Sequence, residues 1–187
     1  GIGRACAELF AKEGYCIIIT GRRKDRLEGL TAQLTTNFGA EVYALPFDVR
    51  DQAAVEKSIK SLPDTWRQID ILINNAGLAA GRDPIQEGRR ANWERMIDTN
   101  VKGLLYVSEQ IIPQMMVRKS GHIINVGSTA GKETYPAGNV YCATKYAVEA
   151  LTEGMRQDLL PHNIRVSRVC PGMVETEFSL VRFDGDQ

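Results

Sequence analysis

The sequence predicts an α/β domain built on a doubly wound parallel sheet. Short runs of apolar and β-branched residues alternate with longer amphipathic stretches, and this alternation is typical of repeated βαβ units. Most of the short runs are apolar throughout, as expected of parallel strands that helices cover on both faces. No repeat, low-complexity tract or interdomain linker interrupts the 187 residues, so we expect one domain over 1–187.

Strands and helices are predicted in alternation along the chain. The strand candidates occupy 16–20, 42–46, 69–74, 122–126 and 164–170. The helix candidates occupy about 4–12, 24–37, 51–62, 93–118 and 140–160. Gly14, Gly39 and Pro63 follow the first three helix candidates, where each helix should end. Ligands of a doubly wound sheet bind outside the carboxyl ends of the strands, so the residues after each strand are site candidates.

Composition limits the partners and the compartment. The chain has 23 basic and 23 acidic residues, so no net field attracts nucleic acid or an anionic membrane, and we expect small molecules or further copies as partners. Four cysteines form no Cys-x-x-Cys motif and there are only two histidines, so we predict no metal site. We expect buried, reduced thiols in a cytoplasmic protein. No run has the length and apolarity of a membrane span, and no signal-peptide pattern opens the sequence.

Gly1-Ile2-Gly3 comes directly before the first helix candidate. Glycines at such a position let the backbone approach a phosphate, and the first N–H groups of a helix bind anions. We therefore predict that Gly1, Ile2 and Gly3 are cofactor contacts. A plain turn is the alternative.

The first strand candidate ends in Thr20-Gly21-Arg22-Arg23. A dinucleotide-binding fold that prefers NAD places a carboxylate here, against the ribose 2′-hydroxyl. Arg22 and Arg23 instead offer guanidinium groups that suit a 2′-phosphate, which predicts NADP as the cofactor. A solvated basic start of a helix is the alternative.

Polar or small residues follow the other strand candidates. They are Asp48-Val49, Asn75-Ala76-Gly77 and Pro171-Gly172, with Val174 and Thr176 shortly after the last pair. Small residues and a rigid turn at a strand end allow a nucleotide to lie close to the backbone. Ordinary exits from strands into turns would have the same composition. The sequence therefore places these residues among the cofactor-contact candidates.

Tyr141 and Lys145 are four residues apart within a helix candidate, and Ser128 precedes them by thirteen residues. A four-residue step puts both side chains on one helix face. A neighbouring cation stabilises a phenolate and lowers the pKa of a tyrosine from about 10, so the phenol can act as an acid and a base. A surface pair without function is the alternative. Asn100 lies inside the helix candidate 93–118, although asparagine is a poor helix former. It therefore either caps a break in the helix or has a functional role.

Together these motifs resemble the short-chain dehydrogenase/reductase family, a Rossmann-like family, over essentially the whole chain. The resemblance implies that Tyr141 is the proton donor, that Ser128 holds the substrate oxygen, and that Lys145 lowers the pKa of Tyr141 and binds the nicotinamide ribose. It also implies that Asn100 holds a water of the proton relay, that Asp48 and Val49 contact adenine, and that the Asn75 region contacts the adenosine side. Thr176 would contact the carboxamide. Family members often form tetramers through two long helices, so we expect a homotetramer.

Within that family the chain is most similar to NADP-dependent 3-hydroxy acid dehydrogenases that act on serine and allo-threonine. The similar stretches are 20–23, 97–100, 121–131 and 176–183. This likeness implies reversible hydride transfer on a small hydroxy acid. Arg182 is a candidate to bind its carboxylate, and a solvated charge on a loop is the alternative. A 3-oxoacyl thioester reductase and a non-catalytic NADP-binding scaffold or sensor are the alternatives. The family's first strand, the start of its TGxxxGxG turn and its C-terminal segment have no counterpart in these residues, which predicts a chain truncated at both termini. If these residues were the whole molecule, the sheet would lack its central strand.

Overall fold

A computed structural model describes residues 1–175 and Phe178 of the chain. It confirms the predicted α/β class. The strands of the described part are β1 (Ile17–Gly21), β2 (Val42–Pro46), β3 (Ile71–Asn74), β4 (Gly121–Val126) and β5 (Ile164–Val169). Its α-helices are α1 (Ile2–Lys12), α2 (Lys24–Phe38), α3 (Gln52–Lys60), α4 (Arg90–Ile97), α5 (Gly103–Arg118) and α6 (Asn139–Leu159).

The strands pair in parallel, as predicted, and form two ladders in the described residues. One ladder joins β1 to β2, with Ile17 opposite Val42. The other has the order β3-β4-β5, with Asn74 opposite Asn125. Both β1 and β3 line a large cavity that lies between the ladders and reaches the carboxyl ends of the strands. The polar residues that follow the strands therefore meet around one cavity.

Helices pack on both faces of the first ladder, which explains its continuous apolar strands. Ile19 points to one face, where it joins a cluster with Ala11 of α1 and Leu34 of α2. Ile18 points to the opposite face, toward a cluster that includes Val55 of α3. Successive side chains of a strand alternate between faces, so a strand covered on both faces is apolar at every position.

The prediction of one continuous helix over 93–118 is wrong. Helix α4 begins at Arg90, and a π-helical turn from Asp98 to Lys102 separates it from α5. Asn100 lies in this turn. A π turn inserts an extra residue into a helix and often occurs at functional sites. The weak helix former at position 100 therefore marks a real change of geometry.

Element boundaries and cysteine environments also differ in detail from the predictions. Gly39 has a left-handed backbone conformation and closes α2, as expected from its position. The third strand begins at Ile71 rather than at residue 69. The prediction that all cysteines are buried is wrong, since Cys16 is exposed and only Cys142 is fully buried. All four thiols are unpaired.

Candidate active site

Helix α6 carries Tyr141 and Lys145 on one face, as the four-residue step predicts. Tyr141 is 9% exposed and Lys145 is 6% exposed. The Lys145 Nζ atom lies 6.0 Å from the centre of the Tyr141 ring. The ring of Phe178 lies on Tyr141 with a centroid distance of 5.9 Å. The ammonium group and the phenol ring are therefore both largely buried, where electrostatic interactions are stronger than in bulk water.

The Lys145 amine is held by the neighbouring strand. Its Nζ donates a hydrogen bond of 2.9 Å to the carbonyl oxygen of Val126, the last residue of β4. Burial lowers the pKa of Lys145 from 10.5 to about 8, because water no longer solvates its charge, while the nearby Cys170 opposes the shift. Only one of the three ammonium donors is used by this bond, so the group can still bind an oxygen in the cavity.

Ser128 follows β4 and begins a short 3-10 turn that packs on α6. Its Oγ accepts a hydrogen bond of 3.1 Å from the Ala130 N–H. A Cβ added to Gly131 would lie 2.6 Å from the Lys145 carbonyl oxygen, so a larger residue would push this turn away from the helix. Because the Ser128 oxygen acts as the acceptor for Ala130, its own proton is available for donation. The turn therefore presents a hydroxyl donor beside α6.

Asn100 holds a loop against α6. Its Oδ1 accepts from the Leu78 N–H at 2.8 Å, and its Nδ2 donates to the Leu78 carbonyl oxygen at 2.8 Å. The second Nδ2 hydrogen goes to Thr144 Oγ1 at 3.0 Å. Thr144 in turn donates to the Tyr141 carbonyl oxygen at 2.7 Å. Both N–H donors of the Asn100 amide are thus used, and any water at this residue must donate to one of its oxygens.

The two glycine-containing segments also meet at the cavity. A Cβ added to Gly3 would lie 2.5 Å from Asn75 Nδ2, so a larger residue at the start of α1 would force the Asn75 side chain to move. The Cα of Gly77 faces both Asn100 and Lys145, since an added Cβ would lie 3.4 Å from Asn100 Oδ1 and from Lys145 Nζ. The loop after β3 therefore connects the N-terminus of α1 with the Tyr141–Lys145 face.

Arg22 and Arg23 follow β1, and both are exposed. Their neighbour across the ladder is Asp48, which forms an ion pair with Arg50 at 2.6 Å. Hydrogen bonds from Arg50 are the main cause of the lowered pKa of Asp48, and the charge of Arg22 contributes to it. Val49 packs against Gly103 at the start of α5. A second charged group of residues thus lies at the carboxyl ends of β1 and β2.

Almost all of the predicted site residues border one cavity at the carboxyl ends of the strands. Asn100 is the exception among the described candidates. It does not line the cavity, and its side chain instead bonds Leu78 and Thr144 next to the cavity-lining residues. Thr176 and Arg182 lie outside the described residues. Those that line the cavity are Gly1, Ile2, Gly3, Arg22, Arg23, Asp48, Val49, Asn75, Ala76, Gly77, Ser128, Tyr141, Lys145, Pro171, Gly172 and Val174.

Sequence reasoning missed several polar residues whose hydrogen bonds connect the elements around the cavity. Thr144 is one of them. Threonine is a poor helix former, so its place between Tyr141 and Lys145 in a helix gave a weak indication of a specific role. Another is Asn125 in β4, whose Oδ1 accepts from Asn74 Nδ2 at 2.9 Å and whose Nδ2 donates to Thr152 Oγ1 at 3.0 Å. Asn125 is completely buried. A polar residue inside an apolar strand was the signal that could have found it.

Comparisons with known proteins settle the family. A family model for short chain dehydrogenases matches residues 1–185. The chain is a short-chain dehydrogenase. This short-chain dehydrogenase is 47% identical over all 187 residues to an NADP-dependent 3-hydroxy acid dehydrogenase of Shigella flexneri, of which it covers 74%. It is 44% identical to a serine 3-dehydrogenase of Rhizobium radiobacter, of which it covers 73%.

A solved structure has nearly the same backbone. The closed form of a serine dehydrogenase complexed with NADP+ superimposes with a TM-score of 0.95 at 46% identity, and the match covers 100% of this chain and 74% of that one. The short-chain dehydrogenase thus spans about three quarters of the length of these relatives. In its described residues no helix is long and apolar enough to cross a membrane, and no cluster of three or more metal-binding side chains occurs.

Proposed function

We propose that this short-chain dehydrogenase uses NADP to interconvert a small hydroxy acid and its keto acid, within one dinucleotide-binding domain over 1–187. One observation carries the proposal. The cavity that contains Tyr141, Lys145 and Ser128 also contains the arginines that follow β1. Relatives named as NADP-dependent 3-hydroxy acid dehydrogenase and serine 3-dehydrogenase support this choice of cofactor and substrate.

The residues around the cavity fit a dinucleotide phosphate. The N-terminus of α1 offers free backbone N–H groups, and Gly3 keeps the adjacent space clear of side chains. Arg22 and Arg23 would hold the 2′-phosphate, because guanidinium groups form charge-assisted hydrogen bonds with phosphate oxygens. Asp48 and Val49 would border the adenine, and Asn75-Ala76-Gly77 the adenosine side. Pro171, Gly172 and Val174 would border the nicotinamide, and we propose Thr176 for the carboxamide.

The chemistry of the proposed site is a proton transfer beside a hydride transfer. Bound NADP+ would supply the hydride acceptor. The Tyr141 phenolate would take the hydroxyl proton of the substrate, and the Lys145 cation would stabilise that phenolate. Ser128 would donate a hydrogen bond to the same substrate oxygen. Asn100 would hold the loop after β3 in place against α6 and accept a hydrogen bond from a relay water.

Absorbance at the nicotinamide band tests the reaction and separates the alternatives. We expect the full-length enzyme to reduce NADP+ when serine or another 3-hydroxy acid is added. Reduction of a 3-oxoacyl thioester in preference to these acids would favour the thioester reductase. Binding of NADP+ without turnover of any alcohol or carbonyl substrate would favour the scaffold or sensor.

Replacement of Arg22 and Arg23 by serine tests the choice of cofactor. Charge-assisted hydrogen bonds contribute roughly 1.5–3 kcal/mol each, so the preference for NADP+ over NAD+ should fall by at least about tenfold. Steady-state kinetics with both cofactors measure this ratio. An equal loss with NADP+ and NAD+ would instead mean that the arginines support the fold.

We also propose a cytoplasmic homotetramer. The four unpaired thiols suit a reducing compartment. Leu105 of α5 and Tyr146 of α6 are 38% and 42% exposed, which leaves apolar surface on the two helices that family members use for assembly. Light scattering coupled to gel filtration of the full-length protein would measure its mass, and a monomer would contradict this assembly.

A further inference from the structure

Five arginines line the cavity in the described part of the chain. Four of them, Arg4, Arg22, Arg23 and Arg26, lie in α1, after β1 or in α2, around the proposed phosphate sites. Arg82 is the fifth, and it lies on the loop between β3 and α4. Asn75, at the start of this loop, lies beside Gly3 of α1, whereas Arg82 lies further along the loop, after the buried residues Ala79 and Ala80.

The loop that carries Arg82 is anchored beside Tyr141. Ala79 and Ala80 are 1% and 7% exposed, and they belong to the same apolar cluster as Tyr141. On the other side of Arg82, the Asp83 carbonyl oxygen accepts a hydrogen bond of 3.1 Å from Asn139 Nδ2. Asn139 is the first residue of α6, two residues before Tyr141. Arg82 is thus fixed on both sides to the helix that carries the proposed proton donor.

The residue before Arg82 sets the direction of its backbone. Gly81 has a φ of +68°, a conformation that other residues rarely adopt. An added Cβ at Gly81 would also lie 2.9 Å from Asp83 Oδ2. This turn is therefore specific to glycine at position 81. It presents the exposed Arg82 to the cavity.

The side chains that line the cavity near Tyr141 include the cation of Arg82 and aromatic surface from Tyr135, Tyr141 and Phe178. Glu175 also lines the cavity, and its negative charge opposes the binding of an acid, so a cation such as Arg82 has to supply the attraction. A carboxylate has two oxygens that match the paired N–H donors of a guanidinium group.

We propose that Arg82 binds the carboxylate of the hydroxy acid and so determines specificity for acids over neutral alcohols. This inference rests on the function proposed above and adds a substrate contact to it. Arg82 takes no part in proton transfer. It should therefore act on the KM of acidic substrates and leave the chemical step unchanged.

Arg82→Leu tests this assignment, with Arg90→Leu as the control. Arg90 is an exposed arginine eight residues further along, and it does not line the cavity, so both variants lose the same charge. Full-length enzymes are assayed with a 3-hydroxy acid, with its methyl ester and with varied NADP+. We expect Arg82→Leu to raise the KM for the acid by roughly tenfold or more, as for loss of a charge-assisted pair, and the KM for the ester less than about twofold.

The control and a conservative variant make the test specific. Arg90→Leu should leave all three KM values unchanged, and Arg82→Lys should recover part of the affinity for the acid because the charge is kept. Equal effects on acid and ester, or equal effects of Arg82→Leu and Arg90→Leu, would overturn the assignment. Acid-selective loss in Arg182→Leu with none in Arg82→Leu would also overturn it. A wild-type enzyme that turns over the ester but no acid refutes the proposed substrate class before any variant is compared.

Discussion

Different interactions hold together the two regions of this enzyme. We name residues 1–50, which include α1, β1, α2 and β2, the nucleotide region. The catalytic region consists of β3, β4, β5, α5 and α6 with the π turn. All buried polar residues among those described lie in the catalytic region, and they are Asn74, Thr99, Asn100, Ser108, Asn125, Thr144, Lys145 and Thr152. The core of the nucleotide region consists of aliphatic side chains, and its polar contacts are exposed or only partly buried.

This difference follows from what each region has to position. Proton transfer requires atoms to be placed within hydrogen-bond distance, and buried hydrogen bonds give such directional control. Hydrophobic contacts are not directional, but they are sufficient for a surface that offers cations to a phosphate. Buried polar groups are costly when a partner is lost, whereas exposed ion pairs contribute little. Substitutions in the two regions should therefore differ in size and in kind.

The largest expected effect is the loss of turnover when the proton donor of the catalytic region is removed. Tyr141→Phe removes one hydroxyl and keeps the ring contact with Phe178, so turnover should fall by roughly 10² to 10⁴, the range of general acid–base catalysis. The KM for NADP+ should change little. Arg22→Ser in the nucleotide region is the matched comparison, and at saturating NADP+ it should keep near wild-type turnover. Near wild-type turnover in the Phe variant would remove Tyr141 from the proposed role.

Lys145→Met should separate activity from stability. Turnover should fall, and the pH optimum for alcohol oxidation should rise, because the phenolate loses its cation. Below pH 8 the folded protein bears a buried charge, and a pKa of about 8 in place of 10.5 corresponds to roughly 3 kcal/mol of destabilisation. The Met variant should therefore be more stable than the wild type at pH 7 by up to about 3 kcal/mol, less the lost bond to Val126.

The difference in stability between Lys145→Met and the wild type should also depend on pH, and this dependence gives a second measurement. The folded state binds fewer protons than the unfolded state between the two pKa values, so the wild type regains stability as the pH rises from about 8 to 10.5. Urea unfolding of both proteins should show the stability difference shrinking across this window. A constant difference would mean that the Lys145 charge is solvated in the folded enzyme.

Asn125→Leu tests the buried network without touching the cavity. The substitution leaves an Asn74 donor without its acceptor in a buried site, which should cost about 2–3 kcal/mol of unfolding free energy. The double variant Asn74→Leu/Asn125→Leu removes both partners, so its loss should be smaller than the sum of the two single losses. Strictly additive losses would show that the two amides do not depend on each other.

Much of this organisation could be predicted from the sequence, because strand ends and helix periodicity are local properties. The apolar runs located the strands to within a few residues, and the four-residue step placed Tyr141 and Lys145 on one face. The hydrogen bond from Asn100 to Thr144 could not be predicted, since it joins residues 44 positions apart. The π turn depends on the same packing. Arg82 lies in a loop whose sequence shows no motif or periodicity that indicates a function. Its position at the cavity depends on the contacts that anchor this loop to α6.

The smallest expected effect concerns the surface of the nucleotide region. Glu8 Oε1 accepts from Arg4 Nε at 2.8 Å and from Gln33 Nε2 at 3.0 Å, and the bond from Arg4 is the main cause of its lowered pKa. A lowered carboxyl pKa stabilises the fold above its usual value of 4.5 and loses that contribution as the pH falls through the folded value. Because the pair is exposed, Glu8→Gln should cost less than about 1 kcal/mol at pH 7, and less still in high salt. Urea unfolding at low and high salt measures this. A loss as large as that of Asn125→Leu, unaffected by salt, would mean that the nucleotide region also depends on polar contacts and that the contrast between the two regions is wrong.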